Sequence, residues 1–318
     1  MDLRPFHPDL RRAARWLPRG VGRAWLVRLM RWLPVPSPRL PEGITVTERR
    51  VDAKSPVTVR IIAAPPDGRP RPVLLWIHGG GYVFGAAKQD DLLCARFAQR
   101  LGVTVVSVDY RLAPEHPFPA PLKDCFAAYD FVQREAADLQ LDSSRVIIGG
   151  ASAGGGLAAA LALLLHDRRR PAPLLQLLVY PMLDDRTVLR VVDDRLHRLW
   201  DSRSNRLGWS RYLGREPGAP DVTDHAAPAR RQELRGLAPA WIGVGTLDLF
   251  HDEDVAYAAR LGAAGVPTSV ELVEGAYHGF DLVQAKAPVS QRFFDAKVEA
   301  MGRALAMSRS SGSFERAP

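Results

Sequence analysis

The residues with the clearest chemical potential are a serine and its small neighbours. Residues 150–154 read GASAG, the only G-x-S-x-G motif of the chain, and follow the apolar run 145–149. Small residues at these positions let a strand turn sharply into a helix, and the turn holds the serine hydroxyl exposed in strained geometry. We therefore predict Ser152 as a nucleophile for acyl transfer. The N–H of Ala153 would lie at the helix N-terminus, where an oxyanion is favoured.

A serine nucleophile needs a base, and the base needs an acid that fixes its tautomer. Asp248 follows the apolar run 240–245, and His278 lies in a loop after the last strand-like run. The order Ser152, Asp248, His278 is the order expected when a triad is built on an α/β sheet. The other seven histidines have less suitable positions, and the acids at 252–254 fit the first turn of the next helix. The sequence thus predicts a Ser-His-Asp triad.

Three consecutive glycines follow another strand-like run, at residues 79–81 directly after His78. Because glycine has no Cβ atom, such a loop can turn several N–H groups toward one point. That arrangement holds an anion, either a phosphate or the oxyanion of an acyl-transfer intermediate. A loop that is only flexible is the alternative interpretation.

The pattern of apolar runs predicts the elements that position these motifs. Two runs of alternating or β-branched residues, 44–51 and 57–63, predict antiparallel strands. The later runs lack alternation, which indicates a parallel sheet buried on both faces. These later strands are predicted at 73–78, 103–108, 145–149, 174–180, 240–245 and 268–273. Helices are predicted at about 90–101, 119–137, 153–166, 252–264 and 289–306. The fold class is α/β, with a doubly wound sheet whose carboxyl strand ends gather the motifs.

Breaks in this alternation divide the chain into regions. Four prolines between residues 34 and 41 separate an N-terminal segment, 1–43, from a catalytic domain at 44–307. Residues 184–238 interrupt the alternation and are predicted to form an insertion above the sheet. Residues 308–318 are polar and are predicted to be a disordered tail.

Charge is concentrated at one end of the chain. The 318 residues carry a formal charge of +8, and residues 1–50 hold eleven arginines against four carboxylates. We find no basic recognition helix with interleaved base-stacking aromatics in the rest of the chain, so no nucleic-acid partner is expected. Residues 1–33 predict a basic amphipathic helix, which either packs on its own domain, as the pattern favours, or lies on an anionic membrane. Its apolar members are Trp16, Trp25, Leu26, Leu29 and Trp32.

Targeting signals and metal sites are not apparent. The longest apolar run, 154–165, is well short of the roughly 20 residues that span a bilayer, so no integral membrane segment is expected. Arginines interrupt every candidate signal sequence within residues 11–33. The two cysteines, Cys94 and Cys125, are predicted to be small buried residues, without a disulfide scaffold or a structural zinc site. A cytoplasmic location is expected.

Six motifs in a fixed order resemble the hormone-sensitive-lipase-like esterases, the bacterial class called family IV. They are HGGG at 78–81, DYRLAPEHPFPA at 109–120, GASAGG at 150–155, YPMLD at 180–184, D-x-x-x-D-E at 248–253 and HGF at 278–280. The resemblance covers roughly residues 40–305. It implies an α/β-hydrolase fold with a helical cap made from the N-terminal segment and the 184–238 insertion.

The resemblance also implies a reaction and a set of roles. The reaction is hydrolysis of short- to medium-chain carboxylic esters, a small-molecule substrate, without a cofactor or a metal, and the resemblance favours a homodimer. The roles are nucleophile for Ser152, acid for Asp248, base for His278 and oxyanion-hole N–H donors for Gly80, Gly81 and Ala153. We assign aromatic residues of the insertion and of the glycine loop to the substrate pocket, namely Tyr82, Trp200, Trp209 and Tyr212.

Two residues depart from the family pattern. Ala151 stands where Asp or Thr is usual, which removes a polar contact beside the nucleophile. Leu249 replaces the proline that usually follows the acid, which makes that loop less rigid. In the proline-rich loop at 109–120, Arg111 and Glu115 are expected to form an ion pair that supports the glycine loop.

Three other functions are considered. An amide or N-acetyl hydrolase would use the same triad, and no motif separates it from an esterase. A non-catalytic receptor on this fold commonly lacks the base, whereas His278 is present here. Nucleic-acid binding is suggested only by the basic pI of about 9.9.

Overall fold

A computed structural model of the protein describes residues 2–35, 38–52 and 56–313. Its centre is one sheet whose strands are β1 (Thr45–Arg50), β2 (Thr58–Ala63), β3 (Arg71–Ile77), β4 (Thr104–Asp109), β5 (Leu141–Ala151), β6 (Leu175–Val179), β7 (Ala240–Gly245) and β8 (Thr268–Val273). They lie in the order β1-β2-β4-β3-β5-β6-β7-β8. The pairings of β2 with β1 and β4 are antiparallel, and the others are parallel. The predicted eight-stranded, mostly parallel sheet is confirmed.

Both faces of the central strands β3 to β7 are covered, which is why these strands lack alternation in the sequence. In β3, Leu75 and Ile77 belong to one apolar core, whereas Leu74 and Trp76 belong to the other. The helices of the described residues are α1 (Arg11–Ala14), α2 (Ala24–Trp32), α3 (Asp91–Leu101), α4 (Ala120–Arg134), α5 (Ala153–Asp167), α6 (Ser202–Leu213), α7 (His251–Ala263), α8 (Phe280–Val283) and α9 (Pro288–Ser313). Side chains of α4, α5 and α7 enter the first core, and those of α3 and α9 enter the second.

The predicted insertion lies between β6 and β7 and contacts the N-terminal segment. It contains α6 and two short 3₁₀ helices, Asp185–Leu189 and Pro228–Arg230. The Leu199 N–H donates to the Pro18 carbonyl at 2.9 Å, and the Val21 N–H donates to Ser204 Oγ at 2.8 Å. Two regions that are far apart in the sequence therefore meet in one layer above the sheet.

The N-terminal segment differs from the single amphipathic helix that we predicted. It forms two separate helices, α1 and α2, because the chain between them runs close to the insertion. A Cβ atom on Gly20 would lie 2.2 Å from Asp201, and one on Gly22 would lie 2.6 Å from Arg203. The large apolar side chains are also mostly outside rather than packed on the domain. The exposed ones are Trp16, Trp25, Leu29 and Trp32.

The end of the catalytic domain also differs from the prediction. Helix α9 continues to Ser313, so residues 308–313 are helical rather than disordered, and residues 314–318 lie outside the described residues. Near its predicted end, α9 contacts the sheet. Arg145 in β5 donates to the Leu305 carbonyl and to Ser308 Oγ, each at 3.0 Å.

Two further findings concern the membrane and the thiols. Within the described parts of the chain, no helix is both long and apolar enough to cross a membrane. Cys94 and Cys125 are both buried and free, as predicted. Burial raises the pKa of each thiol, so neither is activated as a thiolate.

Candidate active site

Ser152 lies on a sharp turn between β5 and α5. Its backbone has φ 56° and ψ −121°, a conformation that a residue with a side chain rarely adopts. The small neighbours make the turn feasible, because a Cβ atom on Gly154 would lie 2.1 Å from the Ile77 carbonyl oxygen. The Ser152 N–H donates to the Val179 carbonyl at 2.9 Å, which fixes the turn against β6. Ala151 is buried in an apolar core and has no polar side chain that could support the turn. Backbone hydrogen bonds therefore hold it.

The structure brings the three predicted triad residues together. His278 Nε2 lies 2.9 Å from Ser152 Oγ, and His278 Nδ1 lies 2.8 Å from Asp248 Oδ2. All three side chains are buried. A carboxylate oxygen only accepts, so the proton on the imidazole belongs to Nδ1, and Nε2 accepts from the serine hydroxyl. The arrangement is that of a serine whose proton can move to a base.

The loop that carries Asp248 is held without the usual proline. The Phe250 N–H donates to Asp248 Oδ1 at 3.0 Å, so both carboxylate oxygens have a partner. The Phe250 ring also contacts His278 edge-on, with ring centroids 5.2 Å apart. Tyr180 contacts the imidazole in the same way at 4.8 Å. These two rings restrict the orientation of the imidazole.

The glycine loop and the start of α5 present N–H groups near Ser152. Gly80 has φ 126° and Gly81 has φ 57°, which only glycine adopts without strain. Within the described residues, the N–H groups of Gly80, Gly81 and Ala153 have no hydrogen-bond acceptor. A Cβ atom on Gly79 would lie 3.4 Å from Ser152 Cβ, so the loop passes directly beside the serine. An anion bound between these elements would find unoccupied donors.

Two buried side chains, His78 and Tyr110, pack next to the start of the glycine loop. His78 stacks on Tyr110 with ring centroids 4.3 Å apart, and its Nδ1 lies 2.7 Å from the Gly79 carbonyl. Burial lowers the pKa of His78, so the ring stays neutral in this position.

The expected pair of Arg111 with Glu115 is wrong. Arg111 makes a bidentate pair with Asp124, at 2.7 Å for its shortest contact, and Glu115 pairs with Arg31 of α2 at 2.8 Å. Asp124, which lies in α4, therefore supports the proline-rich loop through Arg111. Glu115 instead joins this loop to the N-terminal segment, a contact that spacing within the 109–120 motif gave no reason to expect.

The predicted pocket aromatics form a closed stack. Tyr82 stacks on Tyr212 with centroids 3.9 Å apart, and Trp209 contacts Tyr82 at 5.5 Å. All three are buried in the core between the insertion and the sheet. Trp200 lies against the glycine loop, because a Cβ atom on Gly81 would be 2.0 Å from its ring, and its ring centroid is 6.3 Å from that of His278. The insertion thus lies directly on the glycine loop.

Glu253, predicted only as a first-turn acid of α7, also binds the start of the insertion. It lies in that turn, but its Oε1 accepts the N–H groups of Leu183 at 2.7 Å and Asp184 at 3.1 Å. Its other oxygen bonds to the Thr187 hydroxyl. Burial raises the pKa of Glu253 to about 8, against these hydrogen bonds. Glu253 therefore joins the start of the insertion to the helix that follows Asp248.

A buried polar chain lies behind His278. Tyr180 donates from its hydroxyl to Asp281 Oδ1 at 2.7 Å, and Lys297 Nζ donates to Asp281 Oδ2 at 2.6 Å. Tyr180 is part of the YPMLD motif, but its partners lie more than a hundred residues further along the chain. The sequence offered no signal for this pairing.

Comparison with known proteins places the chain in a family. The model of the alpha/beta hydrolase fold family matches residues 74–282. The carboxylesterase NlhH of Mycobacterium tuberculosis is 34% identical over 87% of this chain and 86% of its own length. The solved structure of a bacterial heroin esterase superposes with a TM-score of 0.84 at 35% identity, and covers 95% of this chain and 99% of that one. An esterase of the bacterial hormone-sensitive lipase family has a TM-score of 0.77 at 27% identity, over 94% and 99%.

These similarities and the geometry of the site agree on the class of protein. The chain belongs to the α/β-hydrolases and, within them, to the hormone-sensitive-lipase-like family IV esterases. It is an enzyme of the carboxylesterase class.

Proposed function

We propose that this esterase hydrolyses short- to medium-chain acyl esters through Ser152, His278 and Asp248. The observation that carries the proposal is the chain of two hydrogen bonds, 2.9 Å from Ser152 Oγ to His278 Nε2 and 2.8 Å from His278 Nδ1 to Asp248. Each group has the partner that its role requires: the nucleophile a base, and the base an acid.

In the first half of the reaction, Ser152 Oγ attacks the ester carbonyl carbon while His278 Nε2 takes the hydroxyl proton. The carbonyl oxygen becomes an oxyanion, which the N–H groups of Gly80, Gly81 and Ala153 stabilise. The intermediate collapses, the bond to the alcohol oxygen breaks, and His278 returns the proton to the leaving alcohol. Asp248 stabilises the imidazolium throughout. The product is an acyl-enzyme on Ser152.

In the second half, a water molecule attacks the acyl carbon and His278 takes its proton. The same N–H groups stabilise the second oxyanion, the bond to Ser152 Oγ breaks, and the serine recovers the proton as the acid leaves. Each oxyanion donor is expected to contribute about 3 kcal/mol to the lowering of the barrier.

The chain-length preference is supported by the closeness of the insertion to the glycine loop. Trp200 covers Gly81, and the stack of Tyr82, Trp209 and Tyr212 forms a filled wall rather than an open channel. Contact of these aromatics with substrate remains part of the proposal. A series of p-nitrophenyl esters from acetate to laurate tests it, and we expect kcat/KM to fall at the long-chain end.

Replacing the nucleophile is the decisive experiment. Ser152→Ala and His278→Ala should each lower kcat on p-nitrophenyl butyrate by about 10⁴-fold or more, because one removes the nucleophile and the other removes the base. His251→Ala is the matched control, since His251 is a partly exposed histidine three residues after Asp248. A phosphonate probe should label the parent protein on Ser152. Parent-like activity of Ser152→Ala would overturn the mechanism.

A second experiment separates ester from amide hydrolysis. It compares the activity of the parent protein on matched acetate ester and acetanilide substrates.

Two finer predictions accompany this function. The homodimer is supported by the edge strand β8, where Val270 and Leu272 are exposed apolar residues. Light scattering of the full chain tests it.

The cytoplasmic location remains a prediction, which fractionation of cells that express the tagged chain would test.

A further inference from the structure

Helix α2 presents an apolar strip to the outside of the molecule. Trp25, Leu29 and Trp32 are spaced by four and three residues, so they lie on one side of the helix. Leu33 follows at the end of the helix. Their exposed fractions are 60% for Trp25, 49% for Leu29, 87% for Trp32 and 58% for Leu33. We call these four residues the tryptophan face.

The opposite side of α2 is already packed. Val27 is buried against Val83 and Ala113, and Arg31 pairs with Glu115 through two hydrogen bonds of 2.8 and 3.1 Å. The helix is therefore fixed by one side on the loop that follows the glycine turn. The tryptophan face points away from this anchor and stays uncovered in the described residues.

Arginines lie within α2 and at its start. Arg23 is the N-cap residue of the helix, and Arg28 lies within it beside the tryptophan face. Both are exposed, and no carboxylate of the described residues forms an ion pair with either of them. Residues 1–50 as a whole carry eleven arginines and four carboxylates. Two copies that met through this face would bring these positive charges together. The charge therefore favours an anionic occupant over a second copy of the chain.

We propose that α2 binds anionic lipid surfaces. Tryptophan prefers the boundary between headgroups and acyl chains, because its ring is apolar and its N–H is polar. Trp25 and Trp32 would insert at this boundary with Leu29 between them, while Arg23 and Arg28 contact lipid phosphates. Because α2 is anchored beside the glycine loop through Val27, docking would hold the active site next to the lipid. This consequence for catalysis rests on the proposed function, whereas lipid binding itself does not.

Sedimentation with vesicles tests the proposal in the absence of substrate. The full chain should bind vesicles of equal parts phosphatidylcholine and phosphatidylglycerol, and bind phosphatidylcholine alone much more weakly. Added salt should weaken the binding, since it screens exposed charges. Arg23→Gln with Arg28→Gln should weaken binding to the mixed vesicles by about tenfold or more, since each surface arginine contributes about 1 kcal/mol. Trp25→Ser with Trp32→Ser should weaken it by a similar factor, on the order of tenfold.

A matched control separates this face from exposed apolar residues in general. Leu189 and Val191 are exposed on the insertion, so Leu189→Ser with Val191→Ser should leave vesicle binding unchanged. Circular dichroism of each variant establishes that it is folded, and labelling by the phosphonate probe should persist in every variant.

Several outcomes would overturn the proposal. Equal binding to both kinds of vesicle would remove the role of charge. Unchanged binding by the tryptophan variant would remove the role of α2. Failure of the parent chain to bind mixed vesicles at low salt would contradict it directly. Tryptophan-dependent binding of single-stranded DNA without vesicle binding would assign the face to nucleic acid, and a dimer lost in the tryptophan variant would assign it to a second copy.

Discussion

The orientation of His278 depends on single residues that lie far from it in the sequence. The Tyr180 ring packs edge-on against the imidazole, and its hydroxyl is held by Asp281, three residues beyond the histidine. Lys297 neutralises that carboxylate inside the core. The loop of the base is therefore tied to the end of β6 through one hydrogen bond.

Removal of this hydrogen bond should reduce both stability and turnover. Tyr180→Phe keeps the ring but leaves one oxygen of Asp281 without its hydroxyl partner, at a cost of about 1–3 kcal/mol in unfolding free energy. The loop that carries His278 loses a fixed point, so kcat should fall by on the order of tenfold while KM changes little. Urea denaturation and ester kinetics measure the two effects.

Tyr129→Phe is the control for this prediction. The Tyr129 hydroxyl donates to the Pro171 carbonyl at 2.8 Å, in a region away from the triad. That variant should lose a comparable amount of stability and keep its kcat. Equal kcat values for the two variants would show that Tyr180 does not position the base.

The triad illustrates what local sequence can and cannot give. Ser152, Asp248 and His278 each follow a predicted strand end, and parallel strand ends meet at one edge of a sheet. Their convergence was therefore predictable from order alone. Glu253 was different, because its partners Leu183 and Asp184 precede it by about seventy residues and no periodicity links them.

At the scale of elements, the sheet was predictable and the N-terminal segment was not. Short continuous apolar runs that alternate with helical stretches are typical of strands buried between two helical layers. Helix α2 instead has apolar residues on two sides, with Val27 inside and Trp25 outside. Its 3.6-residue period does not tell which side the domain covers, and the smaller side is the covered one.

The two halves of this segment should respond differently to substitution. Leu10 is completely buried, and it belongs with Phe6 and Ala14 to the same apolar core as side chains of α9. Leu10→Ala should therefore cost about 2–5 kcal/mol of unfolding free energy. Trp16 is 82% exposed, and Trp16→Ala should change stability by less than about 0.5 kcal/mol. Urea denaturation measures both.

The same contrast determines what a deletion of residues 1–33 would remove. The His7 N–H donates to the Gly275 carbonyl at 2.8 Å, in the loop that leads to His278, and the Phe6 ring contacts Tyr277. A deletion therefore removes part of the core along with the exposed helix. If Leu10→Ala proved as stable as the parent, the first part of the segment would be a detachable cover instead.

For the whole molecule, stability and pH are coupled through buried carboxyl groups. Burial raises the pKa of Asp90 to about 6 and that of Glu253 to about 8. Both groups are protonated in the folded and the unfolded chain at low pH, where they add no pH dependence. As the pH rises through the unfolded-chain values, 3.8 for Asp90 and 4.5 for Glu253, the unfolded chain releases these protons first, so the folded state loses stability. The loss from Glu253 is complete only above about pH 8.

Glu253→Gln should remove most of this loss. An amide oxygen can still accept the N–H groups of Leu183 and Asp184, and its NH₂ group can donate to Thr187. The variant should lie within about 1 kcal/mol of the parent near pH 5 and exceed its unfolding free energy by a few kcal/mol near pH 9, because a pKa change of one unit corresponds to about 1.4 kcal/mol. Urea denaturation at pH 5, 7 and 9 measures the difference, and Asp252→Asn, an exposed change in the same helical turn, controls for net charge. A difference between Glu253→Gln and the parent that does not vary with pH would contradict the linkage.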